Sequence, residues 1–226
     1  MDINETVAVV TGAGSGIGRA LACRLVAAGA RFVVCTDIDA DAALETASLI
    51  GSKASAEVLD VADQAAIEDL VTRVEAAHGG IDLFVSNAGY ALGGGLNLDT
   101  DQWRDMMEVH LWAHLNAARA VVPGMIARGR GYLLNTASAA GLLTQLDSGP
   151  YAVSKHAAVA LAEWLAINYG DRGIGVSVLC PQAVRTNILG KPSGRRSPQK
   201  SNSNQATQDG VLAPETVADD CIDAII

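Results

Sequence analysis

Residues 11–18 read Thr-Gly-Ala-Gly-Ser-Gly-Ile-Gly, with glycine at every second position. The run follows an apolar segment, Val7 to Val10, and leads into an amphipathic stretch from about Ile17 to Ala28 that ends at Gly29. Glycines between a strand and a helix permit a tight turn, let the backbone approach a diphosphate, and allow the helix to pack closely on the strand. The first turn of such a helix offers unpaired N–H groups and the positive end of its dipole to phosphates. A turn needed only to reverse the chain would not require so many glycines at a helix start. Gly12, Gly14, Ser15, Gly16, Ile17 and Gly18 are therefore the expected dinucleotide-binding turn.

Along the rest of the chain, short apolar runs alternate with longer amphipathic stretches, the pattern of βα units around a parallel sheet. After the first strand at Val7–Val10, strands are predicted over Arg31–Thr36, Ala56–Leu59, Leu83–Ser86, Gly131–Thr136 and Gly175–Cys180. Helices are predicted near Ala40–Leu49, Asp63–Ala77, Thr100–Arg128 and Tyr151–Tyr169, with Asp99 or Thr100 capping the long fourth one. The expected fold is one α/β domain over residues 1–226, a Rossmann-type doubly wound parallel sheet of six readable strands with helices on both faces. Lys191 to Asp209 is rich in Ser, Asn, Gln, Lys and Arg and nearly devoid of large apolar side chains. Residues 190–211 are accordingly expected to form a mobile substrate loop, before Pro214–Ile226 resumes a helical pattern.

Bulk properties narrow the classes of partner. With 226 residues, half of them hydrophobic, the chain can bury a core without disulfides or a metal. Cys23, Cys35, Cys180 and Cys221 form no CxxC pair and no zinc-spaced cluster with histidine. No metal site is expected, and the thiols are read as reduced. A net charge of −9 argues against a nucleic-acid surface. No apolar run approaches the ~20 residues that span a bilayer, and the N-terminal residues lack the basic region of a signal peptide. The expectation is a cytoplasmic protein with neither nucleic acid nor membrane as partner.

Asp37 closes the second predicted strand, 19 positions after Gly18 (37 − 18). That is close to the ~20-residue offset at which a carboxylate binds the adenosine ribose hydroxyls. A carboxylate there accepts two hydrogen bonds from NAD and repels the 2′-phosphate of NADP. No Lys or Arg stands at Ser15 or immediately after Asp37, so NAD is the expected cofactor. The alternative is a solvated loop acid, with Asp39 and Asp41 beside it.

Tyr151 and Lys155 are four apart on a predicted helix and so project from one face. A nearby ammonium and a positive nicotinamide would favour the phenolate and lower the tyrosine pKa from ~10. Tyr151 is thereby a candidate base near neutral pH. Ser138 lies 13 positions before Tyr151 at the end of the fifth predicted strand; alone it reads as a turn hydroxyl near Gly141, but in register with the pair its hydroxyl would bond the substrate oxygen and stabilise charge developing there.

On these marks, together with Asp60-Val61 and Asn87-Ala88-Gly89, the chain resembles the short-chain dehydrogenases/reductases over about residues 5–188. The resemblance implies a Rossmann fold with one strand more than is readable here, hydride transfer at the nicotinamide, and assembly as a homodimer or homotetramer. It implies Tyr151 as acid–base, Lys155 also on the nicotinamide ribose, and Asp60 and Val61 at adenine. Asn87, Ala88 and Gly89 would support the adenine ribose side and the central sheet, with Pro181, Val184 and Thr186 near the carboxamide. Asp60 can equally cap the next turn.

Three departures stand out. Met107-Glu108-Val109-His110-Leu111 carries His110 where the family usually has an asparagine that supports a water beside the lysine. His110 is expected to take over part of a proton relay, the alternative being a satisfied buried histidine. Gln182 stands where glycine is usual, either facing the substrate or reshaping the turn. The chain stops at Ile226, before family members usually end, so the sixth strand is expected to be an apolar edge left to a missing segment or to a partner subunit.

Leu92, Leu142, Leu143 and Leu146 are expected to frame a mainly apolar pocket, favouring a hydrophobic secondary alcohol or ketone. Lys191, Arg195, Arg196 and Lys200 would either meet an anionic tail or be solvated. The expected function is NAD-dependent interconversion of such an alcohol and its ketone. The alternatives are an NADP-dependent carbonyl reductase and a nucleotide-binding regulator without turnover.

Overall fold

A computed structural model describes residues 1–186 and 210–226. The expected loop at 190–211 falls almost wholly outside the described residues, and so do Lys191, Arg195, Arg196 and Lys200. Six strands form one parallel sheet: β1 (Val7–Thr11), β2 (Phe32–Asp37), β3 (Ala54–Val58), β4 (Leu83–Ser86), β5 (Gly131–Thr136) and β6 (Ile174–Leu179). The helices between and after them are α1 (Gly16–Ala27), α2 (Ala40–Ile50), α3 (Gln64–His78), α4 (Thr100–Met107), α5 (Ala113–Arg128), α6 (Gly149–Tyr169) and α7 (Pro214–Ile225).

Helices cover both faces because the strands are apolar on both. In β1, Ala8 and Val10 pack with Leu21 and Leu25 of α1 and with Ala218 and Ile222 of α7. Val7 and Val9 turn the other way, toward Leu70 of α3, Val121 of α5 and Leu165 of α6. A parallel sheet buried on both sides needs such continuous apolar runs rather than alternation.

The strand order is β3-β2-β1-β4-β5-β6. The chain therefore runs outward from β1 to β3 and then crosses back to β4. At such a reversal the loops leaving the two strands diverge, opening a crevice at their carboxyl ends. The glycine turn after Thr11 and the Asn87-Ala88-Gly89 segment after Ser86 stand at this point.

Most expected elements fall within two residues of their predicted positions. Asp99 caps α4, with a reciprocal Asp99–Gln102 box satisfying two N–H groups that a helix start leaves unpaired. β3 starts two residues earlier than predicted, at Ala54. It is a half-buried edge strand, and its apolar pattern is correspondingly weak. The single long helix predicted from Thr100 to Arg128 is interrupted by a π-helical turn over Glu108–Trp112. No glycine or proline lies in that turn to announce it. Among the described residues β6 pairs only with β5.

Candidate active site

The glycine turn is shaped by close approach. Gly12 has φ +64°, and a Cβ on it would stand 2.8 Å from the Ala88 Cα. A Cβ on Gly18 would stand only 2.1 Å from the Gly12 carbonyl oxygen, so α1 could not pack on the turn with any larger residue. Ser15 occupies the N-cap of α1 with extended backbone, and its side chain makes no capping bond. Its hydroxyl and the first N–H groups of α1 are thus available to an anion. Thr186 lies over the same turn, since a Cβ on Gly16 would meet its Cγ2 at 2.8 Å.

Asp37 ends β2 beside this turn. Its Oδ2 accepts the Gly14 N–H at 2.9 Å and its Oδ1 accepts the Asp39 N–H at 3.0 Å. Two carboxylate oxygens offer about four acceptor positions, which leaves capacity for a vicinal diol. A cradle that a Cβ would fill, a free helix start and this carboxylate together fit a dinucleotide. Asn87 ties the crevice walls: its amide donates to the Thr11 carbonyl at 3.0 Å, and its Oδ1 accepts from the Thr136 hydroxyl at 3.3 Å. Thr11 Oγ1 in turn accepts the N–H groups of Asn87 and Ala88. Gly89 continues this segment against His110, and Val61 is buried in the layer of α3 and α5. Asp60 caps the following turn, its Oδ1 accepting the Ala62 N–H at 3.0 Å.

Ser138, Tyr151 and Lys155 are brought together. Tyr151 lies in the first turn of α6, which begins at Gly149 with Pro150 in its opening turn, a position where the missing N–H is harmless. The Ser138 side chain lies beside the Tyr151 phenol, where it favours the phenolate, and its hydroxyl accepts the Ala140 N–H at 3.2 Å. Lys155, fully buried, donates from Nζ to the Thr136 carbonyl at 2.9 Å and stands 5.7 Å from the centre of the Tyr151 ring. Burial pulls the Lys155 pKa down to about 7, the nearby Cys180 thiol offsetting it only in part. Burial pushes the Tyr151 pKa up, with the Ser138 side chain opposing. The expected lowering by the ammonium is not met in the protein alone. A desolvated lysine that has largely lost its preference for the charged form is a weak electrostatic partner.

His110 is held on both nitrogens. The Tyr90 backbone N–H donates to Nε2 at 3.2 Å, and Nδ1 lies 2.9 Å from the Ser154 hydroxyl oxygen. Burial, with Lys155 and His114 nearby, drives its pKa well down, so the ring is neutral. Ser154 and Thr136 escaped the sequence reading. Ser154 follows Tyr151 by three positions and precedes Lys155 by one, so helical spacing alone places it on the same face. Thr136 acts through its carbonyl, which no side-chain pattern reports. His114, one turn beyond His110, is buried with both ring nitrogens unpartnered, and its pKa is pulled down to about 3.

Beyond β6 the Pro181 carbonyl accepts the Ala139 N–H at 2.9 Å, and Val184 is buried and bridges to Leu212. Gln182 is exposed and has no positive φ, so the turn has no need of glycine there. Leu92 packs with Met106, Ala140 and Tyr151. Its segment is clasped to the approach of α6: Gly94 N–H donates to the Asp147 carbonyl at 2.7 Å, and the Ser148 hydroxyl to the Leu92 carbonyl at 2.6 Å. Leu142, Leu143 and Leu146 lie exposed on the neighbouring segment. No group of side chains suited to a metal occurs among the described residues, and no helix among them is long and apolar enough to cross a membrane.

The family described as short chain dehydrogenase matches residues 6–196. The chain is 39% identical over 193 residues to 1-deoxy-11-beta-hydroxypentalenate dehydrogenase of Streptomyces avermitilis, covering 82% of this chain and 71% of that one. It is 36% identical over 191 residues to 2,5-dichloro-2,5-cyclohexadiene-1,4-diol dehydrogenase of Sphingobium indicum, covering 83% and 76% respectively. The fold superposes with a TM-score of 0.89 on a short chain dehydrogenase/reductase of Burkholderia phymatum in complex with NAD. That alignment is 31% identical and covers all of this chain and 87% of the other.

Proposed function

The chain belongs to the short-chain dehydrogenase/reductase family, and from that premise we propose that it interconverts a hydrophobic secondary alcohol and its ketone with NAD. The observation that carries the reading is the contact of Ser138 with the Tyr151 phenol, in a site closed underneath by Lys155. The nicotinamide, when bound, supplies the hydride acceptor and a positive charge. In oxidation Tyr151 takes the hydroxyl proton at Oη; in reduction it gives that proton back. Ser138 donates to the substrate oxygen, where negative charge grows. Lys155 would hold the nicotinamide ribose through the N–H groups not committed to Thr136.

Gly12, Gly14, Ser15, Gly16, Ile17 and Gly18 would hold the diphosphate, with Thr186 above it, and Asp37 the adenosine ribose. Ala88 and Gly89 line the crevice, Asp60 and Val61 would flank adenine, and Pro181 and Val184 would support the nicotinamide end. The Asp37 carboxylate supports NAD, since its charge opposes a 2′-phosphate. Leu92 against Tyr151, with exposed leucines beside it, supports an apolar substrate. Four free thiols are consistent with a cytoplasmic setting. Exposed Trp112, Val153, Trp164 and Ile167 on the outer side of the π turn and α6 support a homodimer or homotetramer.

The test is to titrate NAD and NADP separately and follow nicotinamide reduction with a panel of cyclic and acyclic secondary alcohols. Turnover with NAD and the apolar alcohols is expected. Binding of NAD with no turnover of any alcohol or ketone would favour the regulator, and a preference for NADP would reverse the cofactor assignment.

A further inference from the structure

We propose that His110 is a positioning residue that locks the start of the substrate-side segment, at Tyr90, to the helical turn that carries Tyr151. The proposal rests on the reading of Tyr151 as the acid–base group. Its geometry is a chain of three hydrogen bonds whose direction is fixed. A backbone N–H can only donate, so the Tyr90 N–H makes Nε2 of His110 an acceptor, at 3.2 Å. The single proton of the neutral ring then sits on Nδ1 and is donated to the Ser154 hydroxyl oxygen, 2.9 Å away. The one proton of Ser154 goes on to the Tyr151 carbonyl, also at 2.9 Å. Reversing the link between His110 and Ser154 would put the ring proton on Nε2, against the Tyr90 N–H that it accepts.

Ring packing acts along the same line. The imidazole meets the Tyr151 ring edge-on, with centres 5.5 Å apart and planes at 85°, and lies 5.7 Å from the Tyr90 ring. Tyr151 is thus held through its backbone by Ser154 and through its ring by His110. The π turn at Glu108–Trp112 carries the ring in this location, and π turns concentrate where a side chain must be re-aimed. A Cβ on Gly89 would lie 3.0 Å from Nε2, so the segment can pass the imidazole only with glycine or after displacement.

The groups facing His110 are Lys155 and Tyr151 from α6, His114 from α5 and Tyr90 from the crossing segment. None is an acid that would favour a charged imidazole, so the lock stays neutral while the enzyme works. A proton relay through this ring would have to break one of its two bonds. Positioning needs neither to break.

Four variants separate the links, assayed with NAD and an alcohol that the wild type turns over. In His110→Asn the amide reaches the Nδ1 place and can keep Ser154 while losing Tyr90. In His110→Gln it reaches the Nε2 place and can keep Tyr90 while losing Ser154. His110→Phe loses both, and Ser154→Ala cuts the middle of the chain. The single losses are expected to lower kcat/KM about tenfold, the typical effect of one buried hydrogen bond. Phenylalanine should lower it further, with the NAD dissociation constant and the pH profile unchanged. Wild-type kcat/KM in His110→Phe would overturn the proposal, as would a displaced pH limb with KM intact, which marks a relay. A readout independent of turnover is ¹⁵N NMR of the His110 ring. A proton on Nδ1 that persists from about pH 8 to pH 5 is expected; a proton on Nε2 would overturn the lock even in a protein that turns over no alcohol.

Discussion

Lys155 Nζ donates to the Thr136 carbonyl at 2.9 Å, so the side chain that underlies Tyr151 also pins α6 to the end of β5. One N–H of the ammonium is committed to the sheet and the others are left for a ligand. Ser138 leaves the same strand end two residues after Thr136. The hydroxyl, the phenol and the ammonium are therefore set by one strand end and one helix turn, and both elements are packed on the central sheet.

Tyr151→Phe removes the proton acceptor and keeps the ring that packs against His110. The kcat for alcohol oxidation is expected to fall by about 10³-fold, with NAD affinity within about twofold of wild type. Ser138→Ala should cost about 10²-fold. The check is steady-state kinetics alongside a calorimetric NAD titration. Because burial holds the Tyr151 phenol protonated in the free protein, kcat/KM for oxidation should climb as pH rises.

Asp37→Ser removes the charge that opposes a 2′-phosphate, and it removes the acceptors of the Gly14 and Asp39 N–H groups. NAD affinity is expected to drop by about tenfold to a hundredfold, as for loss of charge-assisted bonds. NADP affinity should rise relative to it. Fluorescence titration of both reduced cofactors measures the two constants.

Lys155 carries a folded-state pKa of about 7 against an ordinary 10.5. Between these values the unfolded chain binds a proton that the folded protein has released. Stability of the cofactor-free protein from this group therefore rises with pH across that window, by at most ~1.4 kcal/mol per pH unit. Denaturant unfolding at the two ends of the window, for wild type and Lys155→Met, should show a slope that the variant lacks.

His114 titrates at about 3 in the fold, against 6.5 ordinarily. Its contribution is intact above 6.5 and is lost as pH falls toward 3, because only the unfolded chain takes up the proton. Both ring nitrogens are also buried without partners, a cost of about 1–3 kcal/mol for a desolvated polar group. His114→Leu should therefore raise the unfolding free energy at neutral pH and flatten its decline in acid. Equilibrium unfolding across that range decides; a less stable variant would show that the imidazole is satisfied in solution.

The fold and the cradle were legible because they depend on patterns that the chain displays directly. Apolar runs marked the strands, and Gly12 to Gly18 marked a turn where a Cβ cannot fit. The place of Asp37 beside the glycine turn was legible by its offset, and the family resemblance pointed to Ser138, Tyr151 and Lys155 as one group. The π turn at His110 was not legible, since no glycine or proline lies in it to announce it. Nor was the upward shift of Tyr151, which depends on how completely the folded site excludes water. Spacing can show that two groups share a helix face, but it carries no information about desolvation. The Ser154 link and the Thr136 carbonyl were missed for a related reason, as each works through a backbone group.

The most direct measurement uses a secondary alcohol, deuterated at the carbinol carbon, with NAD and either wild type or Tyr151→Phe. Mass spectrometry then follows label in the reduced cofactor. The account predicts one deuterium per ketone formed by the wild type, and a rate lower by about three orders of magnitude in the variant. Label transfer at an undiminished rate by Tyr151→Phe, or ketone formed with no deuterium in the cofactor, would contradict it.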